Sequence, residues 1–441
     1  MIRAALGLPS LLAWSLAWSP ALPIQAQTAE EDSVLRRPRP DYQAVGIGWP
    51  DLVDGVERLV SPEARRAPRG DAASDVTLYP TLQSDVIADG NALRRQSAAQ
   101  GDFATKIAAG LTATGEDTDR GWSLAASADS TRWLRFASQN GDQARLRESG
   151  FVEPGEDLRA ALSADEQWLV EPIEDSSSGY RQQRPNRYAL YSTLLTVERT
   201  NDDWQFLATE RAAFYRFAAN PPVIAGKEQD RDELTSTLHV ARSVFEGTAL
   251  FVEPQVNLRH YVREVGADGL RHDSSGGQIL GGVRYDLSSV TFLEAGAGWL
   301  RQVYVDPAFA AVSGPALQAR SVWNPLDRLS LEAGATRRVA ESNLAGTAGA
   351  EVTSPTVSAA YEIEDNLMAD LNFSFTDMHY KTSVGTSPRV DGIKQYGANL
   401  RYLIDETVSI TASWTDYRRS STVAAAVLDF QRLTVSMALQ W

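Results

Sequence analysis

From Ser74 to Trp441 the chain is written in segments of about ten or more residues whose side chains switch between apolar and polar at nearly every step. In the last segment Leu433, Val435, Met437, Leu439 and Trp441 fall on one face, and Arg432, Thr434, Ser436, Ala438 and Gln440 on the other. The segment before it sets Val408, Ile410, Ala412 and Trp414 against Ser409, Thr411 and Ser413. Another sets Leu367, Ala369, Leu371, Phe373 and Phe375 against Asp370, Asn372, Ser374 and Thr376. A strand turns successive side chains to opposite faces, so a period of two specifies a sheet with different surroundings on its two sides. After Ala26 no run of about 18 apolar residues occurs, so no spanning helix is expected. The chain is either a soluble sheet protein or one that crosses a membrane with strands.

The links between segments favour the second. Short ones are expected at Gly115–Arg120, Pro154–Asp157, Glu246–Gly247, Asn324–Asp327 and Asp405–Glu406. Longer ones are expected at Asp85–Gln100, Pro172–Pro185, Glu264–Ser274, Lys381–Ile393 and Arg419–Leu428, with Ser138–Gly141 a short exception among them. Alternation of tight turns and long loops is the pattern of an outer-membrane barrel. Counting between the links gives about eighteen strands, although Arg187–Glu198 and Trp204–Phe217 do not declare which face is apolar. The expected fold is all-β: a transmembrane antiparallel up-and-down β-barrel over residues 74–441. Trp299, Trp323, Tyr361, Tyr402, Trp414 and Trp441 fall near expected strand ends, where interfacial girdles place amphipathic rings. The mean hydropathy of −0.28 fits this fold, because only alternate residues meet lipid.

The N-terminus reads as a cleaved signal peptide over residues 1–26. Arg3 precedes an apolar stretch from Ala4 to Trp18, and Ile24-Gln25-Ala26 supplies a cleavage site. Residues 27–73, rich in Pro, Arg and acids, read as an irregular periplasmic extension. A net charge of −15 argues against a nucleic-acid partner, and the absence of cysteine excludes disulfides and thiolate metal sites.

No catalytic constellation stands out, and neither cofactor nor metal is expected. The four histidines, His239, His260, His272 and His379, form no pair at ligand spacing. Gly296-Ala297-Gly298 lies inside an alternating strand, so it reads as a tight packing point and not a nucleotide loop. The acidic runs at Glu116–Asp119 and Asp230–Glu233 lack a calcium-loop pattern. Arg284, Glu294, Glu362, Asp370, Asn372, Asn399, Arg401 and Arg432 lie on the polar faces and are the expected lining of a water-filled lumen. An arginine near mid-membrane on the lipid side would cost on the order of 2–4 kcal/mol.

Several segments resemble one family, the outer-membrane β-barrel porins associated with exopolysaccharide biosynthesis and export. They are Arg36–Tyr42 with Gly46-Ile47-Gly48, Leu78–Leu82 with Asp85, Gly314-Pro315 through Ser321–Pro325 into Leu329–Arg337, and Leu433–Trp441. The resemblance implies a pore that takes part in polysaccharide export. It would be a passive conduit with polysaccharide in its lumen, outer-membrane lipid around it and periplasmic export proteins as partners. Trp441, ending an alternating last strand, resembles the insertion signal read by the barrel assembly machinery. Three other readings stay open: a general or nutrient-uptake porin, a barrel-embedded lipid-modifying enzyme using His379 beside Thr376 and Asp377, and a soluble β-sandwich adhesin.

Overall fold

The computed structural model describes residues 71–440 except 74–75, 118, 156, 172–173, 175–184, 202, 219–227, 267, 289, 343, 345 and 384–387. The expected signal peptide, nearly all of the expected extension, and Trp441 lie outside the described residues. Within them the chain forms one antiparallel sheet in which each long strand pairs with the next in sequence. After a three-residue strand, β1 (Asp71–Ala73), come β2 (Val76–Asp89), β3 (Asp102–Asp117), β4 (Arg120–Trp133), β5 (Gly141–Gly155) and β6 (Leu158–Val170). Next are β7 (Arg187–Thr200), β8 (Trp204–Phe217), β9 (Arg231–Phe245), β10 (Thr248–Tyr261), β11 (Ser274–Ser288) and β12 (Thr291–Tyr304). The rest are β13 (Val312–Leu326), β14 (Leu329–Ala340), β15 (Thr347–Glu364), β16 (Leu367–Thr382), β17 (Arg389–Leu403), β18 (Val408–Ser421) and β19 (Leu428–Gln440).

The sheet closes because β19 pairs with β2, from Arg432 against Asp89 to Gln440 against Thr81. The closed cylinder is therefore the eighteen strands β2–β19, and β1 occupies the stretch of β2 edge below β19. Closure removes every sheet edge, so the long strands satisfy their backbone groups without water on the outside.

Links of two to four residues alternate with links of six to sixteen. The structure corrects several expected boundaries. Strand β2 runs on to Asp89, because Asp85 and Asp89 are inward carboxylates of the strand and not loop charges. Strand β17 begins at Arg389 and β18 continues to Ser421, since these strands rise past the apolar belt, where polar residues are tolerated on both faces. The link around Ser138 is residues 134–140, which makes it an ordinary long link.

The register fixes which side chains share a face. The outward set carries Leu371, Leu433, Val435, Met437, Ile279, Val256 and Ile107, all large, apolar and exposed. Trp323, Tyr361 and Tyr402 are outward and near the short-turn rim, as an interfacial girdle requires. Trp414 departs from expectation, lying half-way along β18. The faces of β7 and β8 were ambiguous for a physical reason. Their inward residues Tyr188, Leu190, Tyr215 and Phe217 are themselves apolar, forming a buried cluster toward the long-loop end. On β8 the outward face also carries Glu210, whose carboxylate accepts the Ser236 hydroxyl at 2.5 Å.

Gly296 is a close-approach glycine. The Phe251 ring from β10 lies over it, so that an added Cβ would stand 2.9 Å from the ring. Gly296-Ala297-Gly298 is thus seated in the wall of the barrel, on β12.

Candidate functional site: the lumen and its outer mouth

The register turns all eight sequence-selected residues away from the apolar belt, but it does not bring them into one site. Arg284 on β11 stands opposite Glu294 on β12, which stands opposite Arg320 on β13. Arg320 reaches Glu332 on β14 at 3.3 Å. Four neighbouring strands thereby present a row of alternating sign. A second group lies on β15–β17: Glu362, Asp370, Asn372, Asn399 and Arg401, with Asp370 directly opposite Asn399. Arg432 belongs to neither group and stands at the β19–β2 seam.

Three inward residues, Thr336, Thr356 and Asn372, are exposed although they face the inside of the cylinder, so the bore is open to solvent around mid-height on β14–β16. From β17 round to β4 the inner wall changes character. It presents hydroxyls and amides such as Thr112, Ser127, Thr411, Ser413, Ser436 and Asn399, with the ion pair of Lys106 and Asp129 at 3.2 Å among them. An eighteen-strand barrel is wide enough to hold an aqueous channel.

Toward the long-loop end the inner wall becomes apolar. Leu300, Tyr304, Phe309 and Val312 form one buried cluster, and Met378, Tyr380, Tyr417 and Phe430 belong to another. Loops fold onto these clusters and are fastened by charge. On one side Glu341, from the β14–β15 link, pairs with Arg259 and accepts the Tyr261 hydroxyl at 2.7 Å. Both Arg259 and Glu341 are almost wholly buried. The Asp268 carboxylate ties two loops together by accepting the Gly346 N–H at 2.7 Å and contacting His272 at 2.9 Å. Burial pushes that carboxyl up, but these partners outweigh it and hold it below the usual carboxylate range.

On the other side Glu174, from the β6–β7 link, reaches strands β18 and β19. Its carboxylate meets Arg94 of the β2–β3 link at 3.1 Å and Arg432 at 3.6 Å. Its backbone carbonyl accepts from Arg419 at 3.1 Å. Asp89 completes the network, 2.8 Å from Arg94 and 2.9 Å from Arg432. The Arg94 guanidinium lies 3.7 Å above the Phe430 ring. Burial alone would raise the Glu174 carboxyl, but Arg94 and Arg432 outweigh that penalty and hold it well below the usual range.

The sign of a pH dependence follows. A carboxyl held low in the folded state contributes stability above its ordinary range, and loses it only as pH falls through the lowered value. Glu174 therefore stays ionised and seated from about pH 8 down to about pH 5. Single-channel conductance recorded across that interval is expected to show no step attributable to release of this contact, and a sharp rise near the acidic end would contradict the assignment.

Sequence reasoning passed over Arg94, Arg259, Glu341 and Glu174. Arg259 carried the same signal as the selected residues, since it lies on the inward phase of β10 with Asn257 and Gln255. Nothing local to Glu174 marks a loop residue that contacts strands more than two hundred positions away.

The minor candidates resolve geometrically. His379 and Asp377 are in contact at 2.9 Å on the outer face of β16, whereas Thr376 points inward, so the three do not converge. In the acidic run on β9, Asp230 accepts the Phe217 N–H, Asp232 pairs with Arg216 outside, and Glu233 pairs with Arg231 inside. Alternation thus scatters that run. In the first run, Asp117 pairs with Arg120 across the turn.

Comparison with known proteins adds a family to this geometry. A family model described as "Putative beta-barrel porin 2" matches residues 64–441. No curated protein matches the chain. Among solved structures, OpdO of Pseudomonas aeruginosa is similar at 11% identity, covering 84% of this chain and 98% of its own, with a TM-score of 0.46. A BenF-like porin from Pseudomonas fluorescens Pf-5 gives 11% identity, 83% and 99% coverage, and a TM-score of 0.46. A mutant of the ferric enterobactin receptor PfeA of Pseudomonas aeruginosa gives 10% identity, 82% and 80% coverage, and a TM-score of 0.42.

Proposed function

This chain belongs to the β-barrel porin family matched over residues 64–441 and is a pore of the bacterial outer membrane; we propose that it is a passive conduit for exopolysaccharide leaving the cell. The observation that carries this reading is the inner wall. It is open at Thr336, Thr356 and Asn372, lined by hydroxyls and amides on one side, and edged by the row from Arg284 to Glu332 on the other. A hydroxyl-rich polymer can slide over such a wall by exchanging many weak hydrogen bonds, none strong enough to arrest it. The eight residues selected from the sequence are the proposed lining. No bond is made or broken in this role, so the barrel works without catalysis. The driving force would come from periplasmic and inner-membrane export proteins, and the barrel assembly machinery would insert the chain.

A general or nutrient-uptake porin is the second reading. The clamp formed by Glu174 at the outer mouth favours it, since a narrowed mouth suits small solutes. Deleting the gene and measuring surface polysaccharide separates the two. Loss of surface polymer with periplasmic accumulation is expected for the conduit. Unchanged secretion, together with ready uptake of small sugars in a liposome-swelling assay, would establish the general porin instead.

A further inference from the structure

We propose that Arg94, Arg419 and Arg432 form a binding site at the outer mouth for a carboxylate carried by the transported saccharide, and that Glu174 is a built-in occupant of that site. This rests on the conduit reading and adds to it the charge class of the solute.

The site has more positive charge than the structure needs. On the inner wall at the β19–β2 seam Arg94 and Arg432 share two carboxylates among the described residues, Asp89 and Glu174, and Arg419 of β18 reaches the Glu174 backbone beside them. Asp89 is a strand residue with a fully buried side chain, held by both Arg94 and Arg432, so it is a fixed part of the wall. Glu174 comes from a different part of the barrel, on the link between β6 and β7. Arg419 donates to carbonyls: to that of Ala426 at 2.7 Å and to that of Glu174 at 3.1 Å. When Glu174 leaves, three cations face one anion in a place shielded from solvent. Planar guanidiniums match carboxylate geometry, and paired ones bind it most strongly. The Tyr417 and Phe430 rings, stacked with centroids 4.9 Å apart and buried, back the cations from the wall side. An arriving acidic sugar would exchange its carboxylate for that of Glu174, with no change in the number of buried charges.

The purified full-length chain in planar bilayers, probed with oligogalacturonate and with a malto-oligosaccharide of equal length, tests this directly. Wild-type channels are expected to be interrupted by oligogalacturonate at roughly tenfold lower concentration than by the neutral oligomer, a factor of ten corresponding to about 1.4 kcal/mol. Glu174→Gln removes the competing charge and should lower the half-blocking oligogalacturonate concentration by several-fold, leaving the neutral oligomer unaffected. Arg419→Gln and Arg432→Gln should each erase the preference, with the shift of folded barrel in unboiled gels verifying that the variants fold. Inorganic phosphate added as a competitor distinguishes a carboxylate site from a general anion site. Displacement by millimolar phosphate as effective as by galacturonate would overturn the carboxylate assignment. Equal block by acidic and neutral oligomers would overturn the site and leave the conduit standing. A channel that passes ions but is interrupted by neither saccharide would overturn the conduit itself.

Discussion

Replacing Leu371 by arginine is expected to cost about 2–4 kcal/mol of barrel stability in a bilayer, whereas Asn372→Arg, one residue along the same strand, should cost less than about a quarter of that. Leu371 is an outward residue of β16, exposed on the apolar belt between Ala369 and Phe373. An arginine there can reach neither rim easily, so its charge must be stabilised by local thinning of the bilayer or by water drawn into it. Asn372 points the opposite way, into the part of the bore where its own side chain is already exposed to solvent. An arginine at that position stays hydrated and has Asp370 two residues along on the same inner face. Urea unfolding of the two variants in lipid vesicles reads the difference as a shift in midpoint. The comparison controls for strand propensity, since both variants carry the same new residue on the same strand.

Glu341→Ala should be the more damaging of the loop substitutions, at about 3–5 kcal/mol. The Arg259 and Glu341 side chains are almost completely buried against each other beneath the β14–β15 link. Removing the carboxylate leaves the Arg259 guanidinium to share Glu233, which stands opposite it on β9 and already pairs with Arg231, in a region packed by Tyr261, Tyr304 and Phe309. The cost comes from that under-compensated buried charge more than from the loss of the pair. Substituting both partners together, Arg259→Met with Glu341→Leu, should therefore recover most of the loss, because apolar groups of similar size can replace a buried ion pair. Urea midpoints for the two single variants and the double variant make the cycle. If Glu341→Ala costs no more than an exposed pair, less than about 1 kcal/mol, then the link is not seated against the wall as described.

What could be read from the sequence follows from how local each signal is. Strand phase is a property of neighbouring residues, so the faces of β16, β18 and β19 were legible from alternation alone, as were the tight turns that separate the hairpins. Ends were less legible. Arg389 and Ser421 are polar residues in strands that continue beyond the membrane belt, where alternation no longer marks a strand from a loop, and Asp89 is an inward carboxylate that reads locally as a loop charge. The lining was legible one residue at a time, because inward phase and polarity suffice to select Arg284 or Asn399. Its organisation was not. That Arg284 stands against Glu294 depends on inter-strand register, and that Glu174 stands against Arg432 depends on where a loop folds after the cylinder has closed. Strands β7 and β8 were unreadable for a related reason: their inward residues near the mouth pack together in a buried apolar cluster, which makes both faces apolar.

The account depends on two different surroundings on the two faces of each strand. Because the chain has no cysteine, single cysteines can be introduced at positions 371, 372, 373 and 374 and examined in lipid vesicles without background. Reaction with a water-soluble maleimide and quenching by a lipid-borne nitroxide should alternate in opposite phase, with 372 and 374 reactive from water and 371 and 373 quenched from lipid. Four positions that react alike, or a pattern in which 371 and 373 are the water-reactive pair, would contradict it.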